Sequence, residues 1–186
     1  MKLFFNSMQH LNKYACEVKA VACCPHCANK HFLISHGFVY KKTVNGAKCI
    51  IGKRIFCSNR FSRSGCGRTF QLYLSLHLPR IHYDATHLNI FVHSITNNES
   101  IYLAYSKATG CYDSRNAYRW LKKLHAHLIL FRGYIYKSGL DVLACLDKHQ
   151  DNRFRSILAS TLAVLFIALK SDYCQHFQEM AQQAFI

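Results

Sequence analysis

The sequence predicts an α+β chain: a small N-terminal β unit, then an all-α region with a helix-turn-helix pattern, then C-terminal helices. Three observations carry that prediction. Two cysteine pairs bracket a β-branched, aromatic segment before residue 70. From Asp84 onward the apolar residues recur at helical rather than alternating spacing. Charge is concentrated at the front: residues 1–83 hold 13 Lys and Arg against Glu17 alone, whereas residues 140–186 hold 4 basic against 5 acidic side chains.

At 186 residues and 51% apolar content, the chain has the size and composition of one ordinary domain or two small ones. Three segments are expected: a ribbon over 1–79, a three-helix unit over 80–138, and a helical packing or dimerisation segment over 139–186, with Pro79 at the first seam. A net charge of +15 in which the front half carries most of the excess points to a polyanionic partner. Ten cysteines could build a secreted disulfide scaffold. Met1–Phe5 runs directly into Asn6, Ser7, Gln9 and His10, however, so no signal-peptide hydrophobic region is read there. The most apolar run, Ile157–Leu169, has 13 residues against the roughly 20 that cross a bilayer. The expectation is a cytoplasmic, nucleoid-associated protein with no membrane contact.

The β unit begins at Cys24-Pro25-His26-Cys27, a CxxC knuckle whose thiolates can share one tetrahedral ion. Residues 31–44 read as a strand, Asn45-Gly46 as a type I′ turn, and residues 47–57 as the returning strand, ending on Cys57. Cys66 follows after eight residues, flanked by Gly65 and Gly67, which permit tight backbone. Knuckle, hairpin, knuckle is a zinc ribbon, so Cys24, Cys27, Cys57 and Cys66 are the expected ligands of one structural Zn2+. Cys23 could replace Cys24, and His26, His31 or His36 could replace a thiolate. Cys49 is expected as a packed thiol, and Cys16, Cys111, Cys145 and Cys174 as small buried hydrophobes. Phe32, Phe38, Tyr40, Phe56, Phe61 and Phe70 are expected chiefly as the ribbon's own core; exposed, they could stack bases.

Leu88, Phe91, Val92 and Ile95 form one face of a helix from Asp84, which Asn97-Asn98 ends. A second helix carries Ile101, Ala104 and Tyr105 and stops at Gly110. Asp113 or Ser114 caps a third, long helix over 114–131 with Ala117, Trp120, Leu121, Leu124 and Leu128 inward. Its outer face offers Arg115, Asn116 and Arg119 for base edges, and Tyr118, Lys122 and Lys123 for phosphates. Two further helices follow, over 139–149 and 152–185, the second apolar all round in its middle and therefore buried, in this chain or against a second copy.

The run CPHC, HGFVYKK and KRIFCSNRFSRSGCGRTF resembles the N-terminal zinc ribbon of small bacterial insertion-sequence transposases. Arg54, Cys57, Cys66, Gly67, Arg68, Thr69 and Phe70 stand in the matching places; the eight-residue gap departs from that family's second CxxC. The resemblance covers roughly residues 20–130 and implies binding of double-stranded DNA, with Arg54, Arg60, Arg63 and Arg68 as basic contacts from the ribbon. It implies no catalysis. The acids after Leu140 sit on expected helices, with no strand scaffold to gather a carboxylate triad. The expectation is therefore a non-enzymatic transposition accessory or regulator, with a transposase subunit or a second copy as further partner. The competing expectations are an RNA- or single-strand-binding ribbon and a protein-interaction subunit.

Overall fold

The computed structural model describes residues 2–21, 23–44, 46–113, 115–139 and 157–186. The fold is α+β, with one four-stranded sheet and helices that lie mainly after it. The chain divides into two compact units, Met1–His82 with Gln178–Ala184, and Tyr83–Phe177 with Phe185–Ile186.

The first unit is larger than a bare ribbon. Strand β1 (Lys2–Phe5) and helix α1 (Met8–Val21) precede the first knuckle, and β4 (Thr69–Leu74) follows the second. Between them, β2 (Leu33–Lys42) and β3 (Lys48–Cys57) form the expected hairpin. The order is β1-β4-β3-β2, with β1 parallel to β4 and the other pairs antiparallel. None of the three added elements was read from the sequence. Lys2–Phe5 is too short to show a period, and the helical face of α1 rests on few apolar residues.

The pleat of the strands, re-phased by register shifts between Ser35 and Phe38 and between Val39 and Tyr40, makes two cores. On one face Leu11 and Ala15 of α1 close over Leu33, Ile55, Phe70 and Leu72. Cys24 and Cys57 belong to that same buried cluster, so half of the thiol set is rooted in the core. On the other face Phe4, Val39, Ile51 and Tyr73 pack together, with Cys49 against them as expected of a packed thiol. The Gln182 amide accepts from Phe4 N–H at 2.8 Å and donates to Phe4 C=O at 3.0 Å, occupying backbone groups of edge strand β1. At the hairpin tip, Asn45 lies outside the described residues. Gly46 N–H donates to Thr43 C=O at 2.9 Å, Thr43 N–H donates to Ala47 C=O at 2.8 Å, and Gly46 has φ 78°. That bonding belongs to a three-residue loop closed by a left-handed glycine, in place of the expected two-residue turn.

The second unit is helical: α2 (Ala85–Thr96), α3 (Ile101–Thr109), α4 (Arg115–Ala126), α5 (Leu128–Lys137) and α6 (Ile157–Leu169). A short 3-10 turn (Lys170–Asp172) then leads into α7 (Tyr173–Ala181). Local chemistry sets the ends. Asp84 and Ser100 accept from the N–H groups of His87 and Leu103, each at 3.3 Å, and Gly110 closes α3 at φ 69°. The long third helix of the sequence reading is two. Its ladder breaks at His127, whose N–H is shared between the carbonyls of Lys123 and Leu124, and Leu128 belongs to the next helix. The final helix is likewise broken at Lys170, held at φ 63°. The helix expected over 139–149, with Cys145, lies almost wholly outside the described residues, as does Ser114.

Trp120 is the hub of this unit. Phe91, Tyr105 and Tyr83 surround it with ring centroids 5.3, 5.3 and 5.5 Å away, all edge-on. Helix α6 packs on α2 and α5 and buries Leu158, Leu162, Val164 and Leu165, as its all-round apolar sequence requires. Among the described residues no single helix is long and apolar enough to cross a membrane.

Candidate metal centre

The two knuckles meet. Cys24, Cys27, Cys57 and Cys66 bring their four sulfurs within 4.8 Å of one another, a cluster that can hold a metal ion. The fit can be tested by distance. Four thiolates about 2.3 Å from a central ion define a tetrahedron with edges of about 3.8 Å. The Sγ atoms of Cys24 and Cys66 are 3.7 Å apart, and those of Cys27 and Cys57 are 3.8 Å apart. A disulfide needs about 2.05 Å, so these pairs are spaced for an ion and not for each other.

Backbone amides complete the cradle. His26 N–H donates to Cys24 Sγ at 3.4 Å, and Cys66 N–H donates to Cys57 Sγ at 3.3 Å. Such N–H···S bonds offset the charge that four thiolates would bring to one ion. Backbone N–H groups and burial together divide the thiols electrically. Cys27 is drawn down to about 7, first by the Asn29 backbone N–H, so it ionises near neutral pH. Burial pushes Cys57 up to about 12. The Arg68 backbone N–H pulls Cys66 down, but burial and the sulfurs of Cys24 and Cys27 outweigh it, and the thiol is raised. Ligation of a cation must therefore expel protons from the deeper thiols.

The eight residues between Cys57 and Cys66 are ordered into a finger. Cys57 N–H donates to Arg68 C=O and Gly67 N–H donates to Cys57 C=O, each at 2.9 Å. Gly65 N–H reaches Ser58 C=O at 3.0 Å, and a Cβ on Gly65 would lie 2.2 Å from that oxygen. Glycine is therefore required by close approach. Asn29 of the first knuckle donates to Ser64 C=O at 2.7 Å, tying the two loops together. At the tip Phe61 and Ser62 both adopt left-handed φ, 53° and 61°, and Phe61 is 92% exposed.

The other thiols separate from the cluster. Cys23 is exposed beside it, and His26, His31 and His36 do not join the four sulfurs. Cys16 and Cys111 are exposed, which corrects their reading as buried hydrophobes; Cys174 is buried as expected. Cys16 faces away from the α1 stripe of Leu11 and Ala15, and Cys111 lies in the loop after α3. The aromatic expectation also needs correction. Phe70 is core and Phe32 and Phe56 are half-buried, but Phe38, Tyr40 and Phe61 are exposed, because α1 supplies apolar cover that a bare ribbon lacks.

The basic candidates are all on the surface. Arg54, Arg60, Arg63 and Arg68 are exposed on β3 and around the finger, with Arg60 5.7 Å over the Phe56 ring. On α4, Arg115, Asn116, Tyr118, Arg119, Lys122 and Lys123 are exposed while Ala117, Trp120 and Leu124 are buried, the division the sequence predicts. Arg115, Asn116 and Arg119 are among those engaged locally. Arg115 holds Asp113 with two nitrogens, at 2.7 and 3.0 Å, and Arg119 donates to Asn116 at 3.2 Å. Lys48 and Lys53, absent from the sequence expectations, lie against exposed rings of β2: Lys53 is directly opposite Phe38, whereas Lys48 pairs with Lys42 and reaches Tyr40 diagonally. Comparison of the chain with protein-family models, with curated proteins and with solved structures returns no match.

Proposed function

We propose that the chain is a zinc-dependent, double-stranded DNA-binding protein without catalytic activity of its own. The four-sulfur cluster carries the metal half of this reading: an all-thiolate tetrahedral donor set suits Zn2+, and a closed set of four leaves no position for a reacting water. Its role is structural, joining the hairpin, the finger and the core of the first unit. DNA as the partner is supported by the charge of residues 1–83, 13 basic side chains against one acid, and by the exposed polar and basic face of α4.

In this reading the finger and β3 hold phosphates through Arg54, Arg60, Arg63 and Arg68. Helix α4 enters the major groove with Asn116 and Arg119 toward base edges and Lys122 and Lys123 toward the backbone. Arg115, already paired with Asp113, needs that pair opened before it can reach a base. The likeness of the ribbon motif to transposase N-termini adds a setting: an accessory or regulator that recognises a mobile-element end, with a transposase subunit or a second copy beside it.

The test is binding of a random-sequence duplex across a salt series, followed by selection of preferred sequences. A slope of log affinity against log salt corresponding to several phosphates, with a sequence preference that persists, supports the reading. Absence of duplex binding at low salt by the zinc-loaded chain overturns it.

A further inference from the structure

Among the described residues, the distal half of the β2–β3 hairpin leaves an aromatic face exposed. Leu72, Lys53 and Phe38 are register neighbours across β4, β3 and β2, so a row that begins in the core under α1 ends exposed on the edge strand. Phe38 and Tyr40 are 42% and 49% exposed there, with Ile50 opposite Tyr40 at 39%. Each ring has a lysine from β3: Lys48 Nζ lies 4.3 Å from the Tyr40 centroid, and Lys53 Nζ lies 5.3 Å from that of Phe38.

We infer that this face is a stacking platform for unpaired bases of single-stranded DNA. The inference rests on the reading of the first unit as DNA-binding and adds a second, separate mode to it. Three features select the ligand. Aromatic faces flanked by cations are the combination that holds a single strand, rings taking bases and ammonium groups taking phosphates. The two rings are 6.4 Å apart and inclined by 66°, so they do not stack on each other. That separation is about twice the 3.4 Å rise of a stacked strand, so consecutive bases must part to use both rings. A duplex cannot offer its base faces in this way; an unpaired strand can. Finally, Glu17 is the only acid in residues 1–83, so nothing anionic on the hairpin opposes a phosphate chain. The lysine–ring contacts are of the exposed kind, weak enough for each ammonium to turn to a phosphate as a base arrives.

The experiment measures fluorescence anisotropy of labelled dT, rU and duplex DNA, each about 12 nucleotides or base pairs long, with the zinc-loaded full chain. The variants are Phe38→Leu with Tyr40→Leu, which keeps apolar bulk but removes the π faces, and Lys48→Gln with Lys53→Gln. Circular dichroism melting confirms that each variant folds. The aromatic pair is expected to weaken dT binding roughly 10- to 100-fold while duplex affinity stays within about twofold. The lysine pair is expected to lower the salt slope on dT by up to about 1.4. Duplex binding without dT binding overturns the platform and leaves the duplex reading intact, whereas dT binding without duplex binding does the reverse. Tighter binding of rU than dT, unchanged dT affinity in the leucine pair, or equal loss on dT and duplex each overturns the inference.

Discussion

The backbone N–H of Cys66 points at the sulfur of Cys57, 3.3 Å away. A gap of eight residues, long for a metal knuckle, is thereby closed at its base as tightly as a short one. The finger above carries Arg60 and Arg63 on a fixed stem, so less ordering entropy is lost when they meet an anion. Because Cys24 and Cys57 also sit in the α1 core, a metal held by the four sulfurs would stabilise that core as well.

Removing the metal should therefore unfold the first unit. Cys57→Ser, or a strong chelator on the native chain, should abolish stoichiometric zinc and the corresponding calorimetric transition. Structural zinc sites contribute on the order of 10 kcal/mol, more than the net stability of a small domain. Metal analysis beside calorimetry checks this, and retention of both zinc and the transition in Cys57→Ser would show the ligand set to be wrong.

Glycine positions offer a contrast within one chain. Gly65→Ala drives a methyl to 2.2 Å from Ser58 C=O, and Gly52→Ala drives one to 2.0 Å from Leu72 C=O. Both contacts are backbone and cannot swing aside, so each should cost about 1–3 kcal/mol or more. Gly133→Ala on α5 meets nothing within 4 Å and should stabilise by about 0.5–1 kcal/mol. Thermal denaturation of the three variants should give two losses and one gain.

Trp120 touches three other rings and is only 4% exposed. Trp120→Ala should cost the second unit about 3–5 kcal/mol through the cavity it leaves. Denaturant unfolding followed by circular dichroism reads the loss directly; a change below about 1 kcal/mol would mean that the aromatic cluster is not the core of this unit.

At the start of α4, the Arg115 guanidinium holds the Asp113 carboxyl down at about 2. A lowered native pKa means stability that is present above the ordinary carboxylate range and lost as pH falls through the native value. The contribution of this pair should thus hold at pH 5 and fade between about 4 and 2. Carboxyl NMR titration of Asp113 checks it, and Arg115→Ala should raise the midpoint toward the ordinary range, with the backbone N–H of residue 115 still holding it partly down.

On DNA, Arg119→Ala should flatten the base preference at one position, by about 1–3 kcal/mol of discrimination. Lys122→Ala should weaken all sequences about alike and reduce the salt slope by about 1. Site selection run beside salt titration separates the two effects, and if neither variant differs from the native chain, α4 is not the reading helix.

The sequence by itself determined the α+β class, the four cysteines that cluster at the candidate site, and the buried and exposed faces of α4. Each is written in local chemistry: paired thiols at turns, β-branched runs, and apolar residues every three or four places. Gly110 and Asp84 marked helix ends for the same reason, because caps are made by neighbours. The tertiary structure alone decided what lies far apart in the chain. It set β1 beside β4, laid α1 over the sheet, and brought Gln182 back to Phe4. Once α1 filled one side of the sheet, Phe38 and Tyr40 were no longer needed as core and remained on the surface. Hydrophobicity says that a ring can be buried; only the competition among all the chain's apolar groups for one interior decides which rings are.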